Sequence, residues 1–239
     1  MSISTLSSQD PVSSNMASPN TESLSVPPRA VAPALWLVRH GESTWNTAGL
    51  AQGHNDQAEL TSRGMRQAAE AAEQFRGRAI RAIYASDLRR ARQTAAAFGQ
   101  VLSLPVFADA RLRERGLGVL EGTPSAAIGP SVTGLDAGRV IDPDARPYGG
   151  ESVRDLYARA AAFCDALAAL VTTGHNDGHG VYPRSTDSDG DVVIVAHGGT
   201  VRVLEAYLQG TPVEEMGWGP VENARIVRIT EFHAQPLHT

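Results

Sequence analysis

Two stretches of the chain are apolar without interruption. Ala34-Leu35-Trp36-Leu37-Val38 and Val192-Val193-Ile194-Val195-Ala196 contain no polar position, the pattern of a strand buried on both faces of a sheet. Residues 79–85, with Ile80, Ala82, Ile83 and Tyr84 apolar, predict a third strand. Val106-Phe107 and residues 224–229 predict two more. Between the strands the period becomes helical. Met65, Ala68, Ala69, Ala72 and Phe75 recur at helical spacing over 61–77, where Gly77 suits a C-terminal cap. Leu88, Ala91, Ala95 and Phe98 form a second stripe, with Ser86 or Asp87 as its N-cap. Val153, Leu156, Ala160, Phe163, Leu167 and Leu170 mark a strong helix over 152–171, and residues 200–209 a last one. This alternation predicts an α/β fold, a sheet with helices on both faces.

The remaining segments are polar. Residues 1–32 are rich in Ser, Pro, Asn and Thr, and Leu6, Val12, Leu24 and Val26 stand alone among them. Such a stretch buries too little surface to offset its ordering entropy, so it reads as a disordered tail before one domain over 33–239. Residues 122–150 are Gly/Pro-rich and read as irregular, and 172–190 as a polar loop. His175, Asp177 and His179 in that loop read as surface residues rather than metal ligands. Asp187, Asp189 and Gly190 fall short of a calcium loop, because its twelfth position would be Ala196 in place of a bidentate Glu.

Composition narrows the function. The 239 residues carry 21 Lys+Arg against 26 Asp+Glu, a net charge of −5, which argues against a general nucleic-acid binder. The single cysteine, Cys164, allows neither an intramolecular disulfide nor a multi-cysteine zinc site. No run approaches the roughly 20 apolar residues of a membrane span, and no charged-then-apolar leader opens the chain. A reduced, cytoplasmic protein with no membrane partner is expected.

The two most apolar strands both end in a histidine followed by glycine, His40-Gly41 and His197-Gly198. Ligands of open α/β sheets bind beyond the carboxyl ends of the strands, where amides at a helix or loop start suit an anion. Arg39 adds a planar fork matched to phosphate oxygens. Together they suggest phosphoryl chemistry. The third strand leads into Arg89, Arg90 and Arg92, which cannot share one helical face, so one turns to the crevice. Glu114 lies among Arg111, Arg113 and Arg115, either salt-bridged or held as an acid/base group near a phosphate.

Leu37-Val38-Arg39-His40-Gly41-Glu42-Ser43-Thr44-Trp45-Asn46 resembles the signature of the histidine phosphatase (phosphoglycerate mutase-like) superfamily. Further elements follow in that family's order: Gln52-Gly53, Leu60-Thr61 with Gly64 and Gln67-Ala68, and Ser86 to Ala95 around Arg90. Leu112 with Glu114, Gly118 with Glu121-Gly122, Gly150-Glu151-Ser152 and Val195 to Gly199 complete them. The resemblance covers about residues 34–230 and implies a three-layer sandwich around a mostly parallel sheet.

By that resemblance His40 is the nucleophile that forms a phosphohistidine, and Arg39, Arg90 and His197 bind the phosphate oxygens. Asn46, Gln52, Gly53 and the Gly198 backbone join the substrate site. Glu114 resembles the proton donor, which then activates water. A cationic cage serves in place of a metal, so no cofactor is implied. Glu42 reads as an orienting residue, Trp36 and Trp45 as packing, and Cys164 as core. Trp218 either lines the cleft or covers the domain edge. The leaving-group pocket is expected from 122–150 with 212–223, including Leu135, Ile141, Tyr148, Met216 and Trp218.

The departures favour hydrolysis over mutase chemistry. Leu50 stands where a mutase carries a basic residue, and the 122–150 insert has Arg139 and Arg146 but no adjacent pair. Gly198-Gly199 stands where mutases have Gly-Asn, and Gln52 resembles the phosphatase branch. The pattern also resembles sugar-phosphoglycerate phosphatases and other small-metabolite phosphatases. A phosphomonoesterase for a small phosphorylated metabolite is therefore expected, with a phosphoglycerate mutase or an inactive binding module as alternatives. A homodimer stays open.

Overall fold

The computed structural model describes residues 33–173 and 190–230. The predicted tail over 1–32 and the loop carrying His175, His179, Asp187 and Asp189 lie outside the described residues. Five strands form the central sheet in the order β3-β2-β6-β1-β7. They are β1 (Leu35–Arg39), β2 (Ile80–Ala85), β3 (Val106–Ala108), β6 (Asp191–Ala196) and β7 (Ile226–Ile229). The first four run parallel, and β7 pairs antiparallel with β1 at the edge. The sequence pattern marked β7 as a strand but carried no sign of its direction.

The two most apolar strands, β1 and β6, are neighbours at the centre of the sheet. Their side chains divide between two cores, as the two-residue period requires. Val192, Ile194 and Ala196 pack with α5 (Val153–Thr173) and α6 (Gly198–Leu208). Val193 and Val195 pack with α2 (Ser62–Glu73) and α3 (Arg89–Leu102). Each of these strand residues is fully buried. The structure is thus the mixed α/β fold with helices on both faces that the sequence predicted.

Element ends differ where capping came from elsewhere in the chain. Thr61 caps α2 through the Gly64 amide, but the helix stops at Glu73 and turns carry the chain to Gly77. Neither Ser86 nor Asp87 is the N-cap of α3; Leu88 is, without a side-chain bond. Asp56, from a distant loop, accepts the Arg89 amide instead, and Asp87 holds Arg113 through two bonds of 2.8 and 2.6 Å. The 122–150 segment is less irregular than expected. It contains the one-turn α4 (Pro130–Thr133) and a small hairpin of β4 (Leu135–Asp136) and β5 (Arg139–Val140). Among the described residues no helix is long and apolar enough to cross a membrane.

Candidate active site

The ladder between β1 and β6 pairs residues 157 apart, from Leu35 with Val192 to Arg39 with Ala196. His40 and His197 share that offset (197 − 40 = 157) and are the next rung beyond the strand ends. The His40 amide donates to the Ala196 carbonyl at 2.9 Å, and the two rings stand 5.1 Å apart at 64°. Strand adjacency alone brings the two histidine motifs together.

His40 is 2 % exposed. Its Nδ1 lies 2.7 Å from the Gly41 carbonyl oxygen. That oxygen can only accept, so Nδ1 carries the proton and Nε2 keeps its lone pair. Burial, then the charges of Arg90 and Arg39, hold the ring well below the usual histidine range, and it is neutral at pH 7. His197, the N-cap residue of α6, is fully buried. Burial and then Arg90 and His40 keep it neutral too.

Arg90 is the arginine of its turn that faces inward; Arg89 and Arg92 are exposed. Its Nη1 and Nη2 donate to the carbonyls of Asn55 and Gly53 at 2.8 and 2.9 Å. Burial lowers its pKa to about 10, which leaves it charged. Gly53 must be glycine here: its φ is +47°, and a Cβ would lie 2.2 Å from Glu121 Oε1. Arg39 donates to the Val221 carbonyl. Among the described residues, four buried side-chain polar atoms lack any hydrogen-bond partner: Arg39 Nε, Arg90 Nε and both ring nitrogens of His197. Such orphans are rare, and each costs about 1–3 kcal/mol. One oxyanion in their midst offers acceptors to all the donors among them.

Glu114 reaches the same place from the far side. Its carboxylate accepts the Arg115 amide at 2.8 Å and the Gly199 amide, in the first turn of α6, at 3.0 Å. Gly198, one residue earlier, supplies an amide that the helix cannot satisfy itself. Asn46 sits in α1 (Thr44–Thr47), in a capping box with Ser43. Its Oδ1 accepts from Ser43 and from Asn223, at 3.2 Å, which leaves Nδ2 for the cleft. Gln52 Oε1 is held in the same way by Ser43 Oγ at 3.0 Å.

Arg39, His40, Asn46, Gln52, Gly53, Arg90, Glu114, Gly198 and Gly199 line a cleft of about 570 Å³, and His197 is fully buried outside that lining. Leu50, Leu117, Ser125, Ile128, Thr133, Leu135 and Trp218 form its outer walls. Trp218 therefore lines the cleft. Ile141 and Tyr148, expected there, are 58 % and 86 % exposed, and Met216 belongs to the core. The hairpin is tied to the rest of the domain by a bridge between Arg139 and Gly217. Glu42 binds the Thr61 hydroxyl at 2.8 Å and Arg63 at 3.1 Å, so it anchors the start of α2. Trp36 packs edge-on against Phe75, and Cys164 is core.

Arg202 was missed by sequence reasoning. It stands four residues after Gly198 on α6, on the same helical face. It lines the cleft, donates to the Gly219 carbonyl and lies 5.1 Å from the Trp218 ring centre. Arg115 also lines the cleft, but its guanidinium is engaged by the carbonyls of Glu151, Thr133 and Ala145.

The sequence pattern of the histidine phosphatase superfamily, branch 1, matches residues 35–237. The chain belongs to that superfamily. It is 37 % identical over 179 residues to glucosyl-3-phosphoglycerate phosphatase of Mycobacterium tuberculosis (strain H37Rv), covering 75 % of this chain and 76 % of the relative. It is 36 % identical over 203 residues to a probable phosphoglycerate mutase of Yersinia pestis (strain Pestoides F), covering 82 % and 83 %. Mycobacterial glucosyl-3-phosphoglycerate phosphatase in complex with VO3 superposes with a TM-score of 0.67 at 35 % identity, over 82 % of this chain and 90 % of that one. The same enzyme with inorganic phosphate gives 0.62 at 33 % identity, over 82 % and 89 %. As a superfamily member with these relatives, the chain is an enzyme of the phosphoric monoester hydrolase class.

Proposed function

We propose that this phosphatase hydrolyses a small phosphomonoester through a phosphohistidine on His40, without a metal. The observation that carries the reading is the group of buried, unpartnered atoms of Arg39, Arg90 and His197 around the neutral His40 ring. His40 Nε2 attacks phosphorus, and the bond to the leaving oxygen breaks. Arg39, Arg90, His197, Asn46, Gln52 and the Gly198 amide hold the three other oxygens, so charge is stabilised by positioned donors. Glu114 gives its proton to the leaving oxygen. Water then attacks phosphorus, Glu114 takes a proton from it, the P–N bond breaks, and phosphate leaves. Solved relatives described as complexes with VO3 and with inorganic phosphate support an oxyanion as a ligand of this fold.

The substrate class we infer is a phosphoglycerate-type ester. Arg202 lines the cleft beside Arg39, feels the charge of Glu114 but forms no salt bridge among the described residues, so a carboxylate on the leaving group matches it. Relatives named for glucosyl-3-phosphoglycerate support that choice.

The test is phosphate release from p-nitrophenyl phosphate and 3-phosphoglycerate in EDTA, by wild type and His40→Ala. Activity in wild type, loss in the variant and a trapped acid-labile phosphoenzyme are expected. Loss of activity in EDTA would sink the metal-free mechanism. Interconversion of phosphoglycerates without net phosphate release would make the protein a mutase.

A further inference from the structure

Outside the cleft, a second polar cluster surrounds the backbone that carries Glu114. Arg159, on α5, has five N–H donors, and all are engaged. Nε and Nη2 form a fork onto Glu151, at 3.0 and 2.7 Å. Nη1 donates to the carbonyls of Arg111 and Arg113 at 2.8 and 2.9 Å, and Nη2 also donates to that of Glu114 at 3.1 Å. The Glu114 carbonyl accepts a second bond, from His54 Nε2 at 2.8 Å. Glu151 accepts the Gly116 amide at 2.9 Å and lies 3.5 Å from His54 Nε2. Burial works against the Glu151 carboxylate, but His54, Arg159 and the Gly116 amide hold its pKa well below the usual range, and it stays charged.

None of these three side chains lines the cleft. Their bonds converge on one stretch of backbone, 111–116, at whose middle Glu114 turns inward. We propose that Arg159, oriented by Glu151 and assisted by His54, is the positioning device for Glu114, fixing where its carboxylate meets the leaving oxygen. The inference rests on Glu114 being the general acid. A guanidinium suits the task because only a planar fork satisfies one carboxylate and three carbonyls in fixed directions. A lysine keeps the charge and the attraction to Glu151, but has three donors on a flexible stem.

Leaving-group dependence of kcat/KM separates positioning from general support. A p-nitrophenolate departs without a proton, whereas an alkoxide needs one, so a displaced acid slows alkyl esters selectively. The experiment compares p-nitrophenyl phosphate with 3-phosphoglycerate for wild type, Arg159→Lys, Glu151→Gln and Glu114→Gln. For Arg159→Lys and Glu151→Gln, kcat/KM on the alkyl ester is expected to fall about 30-fold or more, given that a misplacement of about 1 Å costs on the order of 100-fold. On the aryl ester it stays within about threefold. Glu114→Gln should show the same selectivity, and larger. If Glu114→Gln is selective but both other variants lose the two substrates equally, or neither, the positioning role is overturned and the acid assignment stands. If Glu114→Gln is itself unselective, the acid assignment falls and this inference falls with it. Should Arg159→Lys fail to fold, Glu151→Gln, which keeps size and acceptor, decides the matter alone.

Discussion

A methyl group on Gly199 would lie 2.3 Å from Glu114 Oε1, while the Gly199 amide donates to Glu114 Oε2. The carboxylate rests directly on the first turn of α6, at a spot only glycine leaves open. Gly199→Ala must therefore move Glu114, since the other near neighbour, Trp218, lies 3.3 Å away. The expected result is a loss of about 100-fold in turnover of 3-phosphoglycerate, the cost of an acid displaced by about 1 Å. Steady-state kinetics check it, with circular dichroism to establish that the variant folds. Turnover equal to wild type would mean that this contact has no part in catalysis.

Arg90→Met tests the buried cage. Removing the guanidinium leaves the Gly53 and Asn55 carbonyls unpaired, at about 1–3 kcal/mol each. It also deletes a donor of the proposed oxyanion site. Inorganic phosphate should raise the melting temperature of wild type, as any ligand of the native state does, and leave that of Arg90→Met unchanged. A phosphate-dependent rise in both proteins would exclude Arg90 from the anion site.

Arg202→Gln tests the carboxylate contact. The prediction is a fall of about tenfold or more in kcat/KM for 3-phosphoglycerate, the loss of one charge-assisted hydrogen bond. Glycerol 3-phosphate, the analogue without the carboxylate, should be affected by less than about threefold. Equal losses would instead assign Arg202 to the phosphate.

The two buried histidines make stability depend on pH in a stated direction. Both are neutral when folded because their pKa values are held low. In the unfolded chain they titrate near the ordinary value of about 6.5. Below that pH the unfolded state binds protons that the folded state does not, so stability falls as pH drops toward the lowered folded values. Above pH 7 the effect vanishes. Each histidine contributes a slope of up to about 1.4 kcal/mol per pH unit in that window. Urea unfolding between pH 7.5 and 5 should show a shallower fall for His197→Gln than for wild type; parallel curves would refute it.

The strands, the two cores and the residues of the cage were legible because each is a local signal. An unbroken apolar run makes a central strand, and a histidine at its end reaches the crevice. Arg90, Glu114 and Asn46 were placed by motif order. Contacts between distant segments were not legible. Asp56 caps α3 from 33 residues away, and Arg159 reaches Glu114 from 45 residues away; neither pairing leaves a trace in periodicity. Arg202 had a signal, its spacing from Gly198, but a charged residue on an unfolded page points nowhere. Ile141 and Tyr148 were misassigned because hydrophobicity was taken for burial; both lie in the bends and turns that follow the hairpin and stand exposed.

The shared rung of His40 and His197 has a consequence for how this protein can be altered. A slip of one residue between β1 and β6 would exchange every inward and outward side chain of the slipped strand. Both faces of β6 are apolar, so burial alone does not fix the register; Asp191 does, accepting the Ala34 amide at 2.9 Å and, from β1, the Trp36 indole N–H at 2.8 Å. The spacing of the two rings is thus guarded by residues that never touch a substrate. The wall side chains of Ser125, Ile128, Leu135 and Trp218 carry no such duty. Exchanging those side chains for others should retune which ester enters while the histidine pair keeps its geometry.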